Sequence, residues 1–316
     1  MRRVLAVTGA SGFCGAAVAR AAVVAGWEVR CLGRRPGPVG RHVPWDAAQD
    51  APRLDGADAV VHLAAAVGDP PPGRAAERAF RAVNVDGTAR LLDALGGRPL
   101  VHVSSASVYA PAAGAPIPEE HPVEGQRTAY GRTKAAGEAL ALAAGAVVLR
   151  PRAVYGPGDP HLLPRLRSAV RGGVLLLPGP DTTLSLTAVE NLAAACLAAL
   201  CPTDTAHDNP TDAMTPRGPW PPGAYNIADA RPYRRDDAIR RALGTSVRIV
   251  HVPVALATAA AAAAAHLSRN SLLTRYSVEQ VAHGVVLDTT RAAAQGFHPT
   301  WDLEDFLRTE PVRDEV

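Results

Sequence analysis

The chain has 316 residues, with 33 Lys+Arg against 30 Asp+Glu, so its formal net charge at pH 7 is only +3. This length is enough to bury a full hydrophobic core, and a hydrophobic fraction of 47% is too high for a disordered chain. The balanced charge argues against a protein that binds nucleic acid. Of the 33 basic residues 32 are arginine, and the only lysine is Lys134.

The cysteines and the longest apolar runs bear on metal binding and on membranes. Cys14, Cys31, Cys196 and Cys201 lack the spacing of a metal site and are too few for a disulfide scaffold, which favours a reducing, cytoplasmic setting without a bound metal. The N-terminal apolar run is only about five residues long, too short for a signal peptide. The alanine-rich run Val252–Leu267 is shorter than the ~20 residues of a membrane span. It predicts a helix packed on the protein body, with a membrane-surface role as the alternative.

Up to about residue 150, short apolar runs alternate with longer alanine-rich stretches. Strands are predicted at Val4–Val7, Glu28–Leu32, Ala59–Leu63, Leu100–Val103 and Val147–Leu149, and helices at Gly15–Ala25, Arg78–Leu95 and Thr128–Ala144. This alternation predicts βαβ units and a parallel sheet, and the solid apolar runs indicate strands that are covered on both faces.

After Pro151 the rhythm changes, because proline and glycine interrupt the pattern and Thr203–Gly223 is typical of a long loop. The predicted fold is therefore α/β, with a Rossmann-type doubly wound parallel sheet over residues 1–154. A smaller mixed substrate subdomain is expected over residues 155–316, from which later segments could return to the sheet.

A glycine-rich turn follows the first predicted strand. The stretch TGASGFCG at residues 8–15 has the spacing G-x-x-G-x-x-G and leads into a helix. Its glycines permit a tight turn, close approach of a pyrophosphate and close packing of the helix, whose N-terminus offers free N–H groups to phosphates. A glycine-rich turn without a ligand is the alternative. We predict a dinucleotide here, bound by Gly9, Ser11, Gly12, Phe13, Cys14 and Gly15.

The end of the second predicted strand, CLGRR at residues 31–35, bears on which dinucleotide binds. Proteins that bind NAD usually carry a carboxylate there for the ribose 2′-hydroxyl, and none is present. Guanidinium groups pair well with a phosphate dianion. Arg34, supported by Arg35, is therefore predicted to bind the 2′-phosphate of NADP(H) in preference to NAD(H). Solvated surface arginines are the alternative interpretation.

Tyr130 and Lys134 are four residues apart, so a helix places them on one face. A phenol has an ordinary pKa of about 10, and a neighbouring ammonium stabilises the phenolate and brings the pKa towards the working range. Ser105 follows a predicted strand, where parallel sheets bind ligands, and could donate to a substrate carbonyl. These three are the predicted catalytic residues, and Tyr130 and Lys134 are also expected to contact the cofactor. A structural tyrosine and a turn serine are the alternatives.

Together these motifs resemble the extended short-chain dehydrogenase/reductase family. The likeness covers nearly the whole chain, and besides the glycine turn it includes DAVVHLAA at residues 58–65, NVDGT at 84–88, SSASVY at 104–109, YGRTK at 130–134 and LRPRAVYGPG at 149–158. Within the family, the chain looks most similar to the branch of 3β-hydroxysteroid dehydrogenases and 2-alkyl-3-oxoalkanoate reductases.

The resemblance implies roles for individual residues. Tyr130 would be the general acid, Lys134 would tune it and hold the ribose, and Ser105 would polarise the carbonyl. The other implied cofactor contacts are Leu63, Ala64, Asn84 and Pro151 lining the nicotinamide site, Ala65 and Val154 beside them, and Asp46 at the adenine. A homodimer is a further expectation, whereas neither nucleic acid nor a membrane span is expected.

The chain departs from the nucleotide-sugar branches of that family. Leu184 occupies the place of an arginine that holds the diphosphate, and Ala106-Ser107 replaces the Asp-Glu pair of the dehydratases. We therefore expect an NADP(H)-dependent ketoreductase or alcohol dehydrogenase that acts on a lipophilic small molecule. Two alternatives stay open, an epimerase or dehydratase that uses bound NAD(P) and a non-enzymatic NADP-binding protein.

Overall fold

A parallel sheet of seven strands forms the centre of the computed structural model, which describes residues 2–68, 73–110, 116–160, 162–200, 219–244, 246–267, 278 and 281–309. Its strands are β1 Val4–Thr8, β2 Glu28–Gly33, β3 Arg41–Pro44, β4 Ala59–His62, β5 Leu100–Val103, β6 Val147–Pro151 and β11 Gly223–Ile227. Their order is β11-β6-β5-β4-β1-β2-β3. The order reverses between β1 and β4, and sheets of this kind bind ligands at the carboxyl ends of the strands beside such a reversal.

Helices cover both faces of the sheet. They are α1 Phe13–Val24, α2 Arg74–Arg81, α3 Gly87–Asp93, α4 Ala129–Ala143, α5 Leu162–Ala169, α6 Val189–Ala198, α7 Arg235–Leu243, α8 Val254–Leu267, α9 Thr290–Ala293 and α10 Leu303–Thr309. On one face α1 and α6 pack against Leu5 and Val7, and on the other α3 and α4 pack against Ala6 and Val60. Successive side chains of β1 thus enter two separate cores, because a strand alternates its faces.

The helix predicted as one element over Arg78–Leu95 has three parts. A π-helix, Ala82–Asp86, separates α2 from α3 and contains the buried Asn84. Helix α4 packs so closely on it that a Cβ at Gly137 would overlap the carbonyl oxygen of Asn84. A π-turn in an otherwise α-helical stretch is frequent at functional sites, and this one lies beside the helix of the predicted catalytic pair.

The segments after β6 form three two-stranded sheets outside the central one. They pair β7 Val154–Tyr155 with β10 Thr187–Ala188, β8 Val174–Pro178 with β13 Arg248–Val252, and β9 Thr183–Leu184 with β12 Tyr233–Arg234. Strand β11 lies in the central sheet beside β6. The sequence reading missed β3, which is short and half-exposed at the sheet edge and has no apolar run.

The alanine-rich run predicted as a helix forms α8, which packs on the body through Ala257 and Ala261. Among the described residues, no helix combines the length and apolar character needed to cross a membrane. Most of the loop predicted over Thr203–Gly223 lies outside the described residues, as does Cys201.

Candidate active site

The glycine turn lies at the carboxyl end of β1 and begins with Gly9, whose φ of 69° lies in the left-handed region. A Cβ at this position would stand 2.8 Å from the backbone nitrogen of Ala64, so the turn directly contacts the segment after β4. A Cβ at Gly15 would overlap the carbonyl oxygen of Gly9. Both positions therefore exclude a side chain, Gly9 through conformation and contact, Gly15 through contact alone.

Helix α1 begins within this motif, at Phe13. Gly12 is its N-cap, and no side chain caps the helix. Ser11 and Gly12 are exposed, and Phe13 and Cys14 are half-buried. Burial raises the pKa of the Cys14 thiol to about 12, so the thiol is neutral. An uncapped, glycine-lined helix N-terminus matches the charge and the size of a pyrophosphate, and these residues fit a dinucleotide.

Thr8 and His62 hold the segment after β4, which starts at Leu63. The hydroxyl of Thr8 accepts from the N–H groups of Leu63 and Ala64, both at 3.0 Å, and lies 2.8 Å from Nδ1 of His62. On the other side of the ring, Nε2 is 3.0 Å from the hydroxyl of Thr88, which donates its own hydrogen to a carbonyl. His62 must therefore carry its hydrogen on Nε2 and accept from Thr8 at Nδ1.

Asn84 holds the same segment further along. Its Oδ1 accepts from the N–H of Ala66 at 2.7 Å, and its Nδ2 donates to the carbonyl of Ala66 at 3.1 Å and to the hydroxyl of Thr133 at 3.0 Å. Thr133 precedes Lys134 on α4. Asn84 thus connects the segment that contains Leu63, Ala64 and Ala65 to the helix of the predicted catalytic pair.

Ser105 follows β5, and Lys134 of α4 contacts the end of the same strand. Lys134 is 4% exposed, and its Nζ donates to the carbonyl of Val103 at 2.7 Å, which leaves two of its three hydrogens for other partners. The hydroxyl of Ser105 accepts from the N–H of Ser107 at 3.2 Å and keeps its own hydrogen available for donation. Tyr130 lies half-buried one helical turn before Lys134.

Burial shifts the pKa values of the titratable side chains around Lys134 and so decides which of them are charged. It lowers the pKa of Lys134 to about 8, whereas the carboxylate of Glu138 acts in the opposite direction. Burial, reinforced by the positive charge of Lys134, lowers the pKa of His62 to about 3 and that of the neighbouring His102 well below its usual range. Both imidazoles are therefore neutral at physiological pH, and the charge at this site belongs to Lys134.

Arg34 and Arg35 lie exposed at the end of β2, and neither forms an ion pair with a residue that the structure describes. Gly33, at the position where NAD-binding folds carry their carboxylate, has room for a side chain, because its nearest neighbour would be 3.6 Å from a Cβ. Asp46 lies in the turn after β3, where its carboxylate accepts from the backbone of Ala48 at 2.9 Å. Its contact with an adenine stays a prediction.

Pro151 and Val154 flank the step from the central sheet to the C-terminal part. Pro151 ends β6 and is buried, and Val154 begins β7 and packs against the core. Between them Ala153 is the only non-glycine residue with positive φ, 45°, in the described chain. The backbone therefore turns sharply just after the strand that the resemblance assigns to the nicotinamide.

Sequence reasoning missed the buried polar side chains behind the site. Arg150 pairs with Glu138 at 4% and 2% side-chain exposure, and the hydroxyl of Tyr109 receives one of its hydrogen bonds. The only signal in the sequence for this pair was the position of Glu138, one helical turn after Lys134. Thr8, His62 and Thr88 stood inside the quoted motifs, but their contacts join residues far apart in the chain.

The chain is similar to known proteins in both sequence and fold. The sequence model of the NAD dependent epimerase/dehydratase family matches residues 5–227. The chain is 33% identical to a ceramide reductase of Caulobacter vibrioides over 64% of this chain and 62% of that protein, so it spans less than two thirds of that relative. It is 30% identical to a 2-alkyl-3-oxoalkanoate reductase of Stenotrophomonas maltophilia, over 75% of this chain and 74% of the relative.

Among solved structures, MoeE5 in complex with UDP-glucuronic acid and NAD superposes with a TM-score of 0.70 at 25% identity, covering 97% of each chain. The terminal R domain of a myxalamid PKS-NRPS pathway superposes at 0.74 with 22% identity, covering 99% of this chain and 92% of that domain, which shows the shared fold alone. On the matched family model and the seven-stranded sheet, this chain belongs to the NAD-dependent epimerase/dehydratase family, the extended short-chain dehydrogenases/reductases.

Proposed function

We propose that the protein is an NADP(H)-dependent reductase or dehydrogenase that interconverts a ketone and an alcohol on an apolar small molecule. The observation that carries the proposal is the buried Lys134 one turn after Tyr130, beside a serine whose hydroxyl hydrogen is available. A buried ammonium next to a phenol stabilises the phenolate, as a general acid that works near neutral pH requires.

In the reduction, each residue of the chain acts on the carbonyl oxygen or on its proton. Ser105 donates a hydrogen bond to the oxygen as negative charge develops there, and Tyr130 donates the proton that completes the alcohol. Lys134 stabilises the resulting phenolate with its ammonium and offers its remaining hydrogens to a ribose. The nicotinamide, when bound, supplies the hydride.

Three observations support an apolar substrate. An apolar cluster begins at Ala106, the residue after Ser105, and continues through Tyr109, Ile117, Ala228 and Leu287. Curated relatives of the chain are reductases of a ceramide and of 2-alkyl-3-oxoalkanoates. Leu184, at the place of the diphosphate-binding arginine of the sugar-nucleotide enzymes, instead packs against an apolar cluster around Tyr155 and Phe306.

The test is oxidation of NADPH by the purified protein in the presence of long-chain and polycyclic ketones, followed by absorbance. Tyr130→Phe should lower turnover by about 10²–10⁴-fold while NADPH affinity is retained, because only the proton donor is lost. Full activity of that variant would refute the assignment of Tyr130. Tightly retained NAD(H) that is released only on denaturation, with no net turnover, would instead favour an epimerase or dehydratase.

The preference for NADP(H) has a test of its own. Arg34→Ala should weaken NADPH binding by about 10–100-fold and NADH binding little, because one charge-assisted contact with the 2′-phosphate is lost. Gly33→Asp adds a carboxylate where the structure has room for one and should shift the preference towards NADH. Equal effects of either variant on the two cofactors would contradict the proposed preference.

A further inference from the structure

Lys134 and Glu138 lie on the buried face of α4, four residues apart and 4% and 1% exposed. An ammonium and a carboxylate at this spacing face each other on a helix and commonly pair. Here they do not, because Lys134 donates to the carbonyl of Val103 and no carboxylate of a described residue forms an ion pair with it. Glu138 has another partner.

That partner is Arg150 of β6, itself 3% exposed. Its Nε lies 3.1 and 3.2 Å from the two carboxylate oxygens of Glu138, and Nη2 donates to one of them as well. The other terminal nitrogen donates to the hydroxyl of Tyr109 at 2.9 Å and to the carbonyl of Glu119 at 2.8 Å. The guanidinium is thus fixed on both sides, and it holds the carboxylate in a forked geometry that an ammonium cannot reproduce.

We propose that Arg150 is a positioning residue. From its place on β6 it holds the carboxylate of Glu138, and it thereby leaves the ammonium of Lys134 without an anionic partner on its own helix. Lys134 then directs its remaining hydrogens to Tyr130 and to a ribose. The use of that ammonium rests on the proposed function, whereas the competition between Arg150 and Lys134 for Glu138 does not.

Of the groups around Lys134, Glu138 is the one whose negative charge acts on the pKa of the ammonium. His62 of β4 and His102 of β5 are neutral, and Tyr130 lies one turn earlier on the same helix. The π-helix packed against α4 presents the uncharged Asn84. Among the described residues, the carboxylate of Glu138 is the charge that raises the pKa of Lys134 against the effect of burial.

The single lysine makes the test direct, because a protein labelled with ¹³C-lysine gives one Cε resonance, whose titration reports Lys134 without cofactor or substrate. Glu138→Gln should lower the titration midpoint by about one pH unit, since the opposing charge is gone. Arg150→Met should raise it by a similar amount, since the released carboxylate turns to Lys134. A purely structural ion pair predicts no shift, or shifts in the same direction, and either result would overturn the proposal.

Two further variants keep the test decisive. Arg150→Met leaves a buried carboxylate unpaired and can fail to fold, whereas Arg150→Met/Glu138→Gln removes both charges together. Its midpoint should match that of Glu138→Gln, because Arg150 acts on Lys134 through the carboxylate of Glu138, and a midpoint above the wild-type value would overturn the proposal. Glu77→Gln is the matched control, since Glu77 pairs with Arg132 on the exposed face of α4, and it should leave Lys134 unshifted.

Turnover then separates this proposal from the proposed function. Where ketone reduction is found, the alkaline limb of its pH profile should follow the NMR midpoints, moving down in Glu138→Gln and up in Arg150→Met. NMR shifts as expected with no ketone reduced would refute the proposed function alone. Ketone reduction with an immobile Lys134 midpoint would refute the role of Arg150 alone.

Discussion

The two parts of the molecule are held together in different ways. In the central sheet, β1 and β4 to β6 are completely buried, and continuous parallel ladders place the ends of these strands side by side. In the C-terminal part, the strands after β6 other than β11 form two-stranded sheets, and side chains join them. The main connection is Asp229, which accepts hydrogen bonds from Tyr155 at 2.7 Å, Tyr233 at 3.0 Å and Asn191 at 2.8 Å. Backbone ladders thus position the candidate catalytic groups, and side-chain networks shape the region beside them.

The two parts also differ in the direction in which burial shifts the pKa of their titratable groups. In the sheet, burial keeps His62 and His102 neutral by lowering their pKa values. In the C-terminal part, burial raises the pKa of Asp229 and outweighs the hydrogen bonds that it accepts. Acid therefore lowers the free energy of unfolding through the sheet, because unfolding exposes imidazoles that take up protons. Through Asp229 acid has the opposite effect, because this carboxyl binds a proton more readily in the folded state than in the unfolded state.

The largest expected effect concerns the lone lysine of the sheet. Lys134→Arg keeps the charge but should lower turnover by about 10²-fold or more, because the site buries a compact ammonium bonded to Val103, whose shape and hydrogen-bond directions a planar guanidinium does not reproduce. The measurement is kcat with NADPH and a ketone substrate. Arg132→Lys, the reverse exchange on the exposed face of the same helix, is the control and should retain activity.

The next effect tests the acid sensitivity of the sheet. An unfolded imidazole takes up a proton below its ordinary pKa of 6.5, whereas folded His62 does so only near 3, so the free energy of unfolding falls as the pH falls. Between pH 7 and about pH 4.5 this one residue should remove about 2–3 kcal/mol, measured by urea unfolding. His62→Gln should reduce that pH dependence by the same amount, and the exposed His298→Gln should not. An unchanged dependence in His62→Gln would contradict a neutral buried imidazole.

A smaller effect is expected at the glycine turn. Gly15→Ala inserts a Cβ into the space of the Gly9 carbonyl and should cost about 1–3 kcal/mol of stability together with cofactor affinity. Calorimetric titration with NADPH and thermal unfolding measure the two losses. Gly73→Ala, with nothing within 4 Å of the new Cβ, should leave both unchanged. An affinity of Gly15→Ala for NADPH equal to that of the wild type would contradict the prediction that the glycine turn binds the cofactor.

The smallest effect lies where the two parts join. Ala153 has a φ of 45°, which glycine adopts without strain, so Ala153→Gly should change the unfolding free energy by no more than about 1 kcal/mol and in the stabilising direction. Ala259→Gly, at an exposed position within α8, should instead cost about 1 kcal/mol. Urea unfolding compares the two exchanges, and equal losses would show that the backbone at Ala153 is unstrained.

Residues that act through local pattern were predictable from the sequence. The glycine turn, the ends of β1 and β5 and the helix of Tyr130 and Lys134 each depend on neighbours within one turn or one strand. The helix expected over Arg78–Leu95 is observed as continuous helical backbone up to Asp93, but local helical preference does not reveal the π-helix within it, which packs against α4. Strand β3 was missed for a similar reason, because pairing with β2 rather than an apolar run defines it.

The sequence by itself determined which chemical groups stand at the ends of the strands, and its one lysine marked the position where we predict that a guanidinium does not replace an ammonium. Only the tertiary structure decided the charges of those groups. The neutral His62 between Thr8 and Thr88 and the pairing of Glu138 with Arg150 rather than with Lys134 join segments distant in the chain. They come together only when the sheet forms, and burial then fixes which of them carry charge.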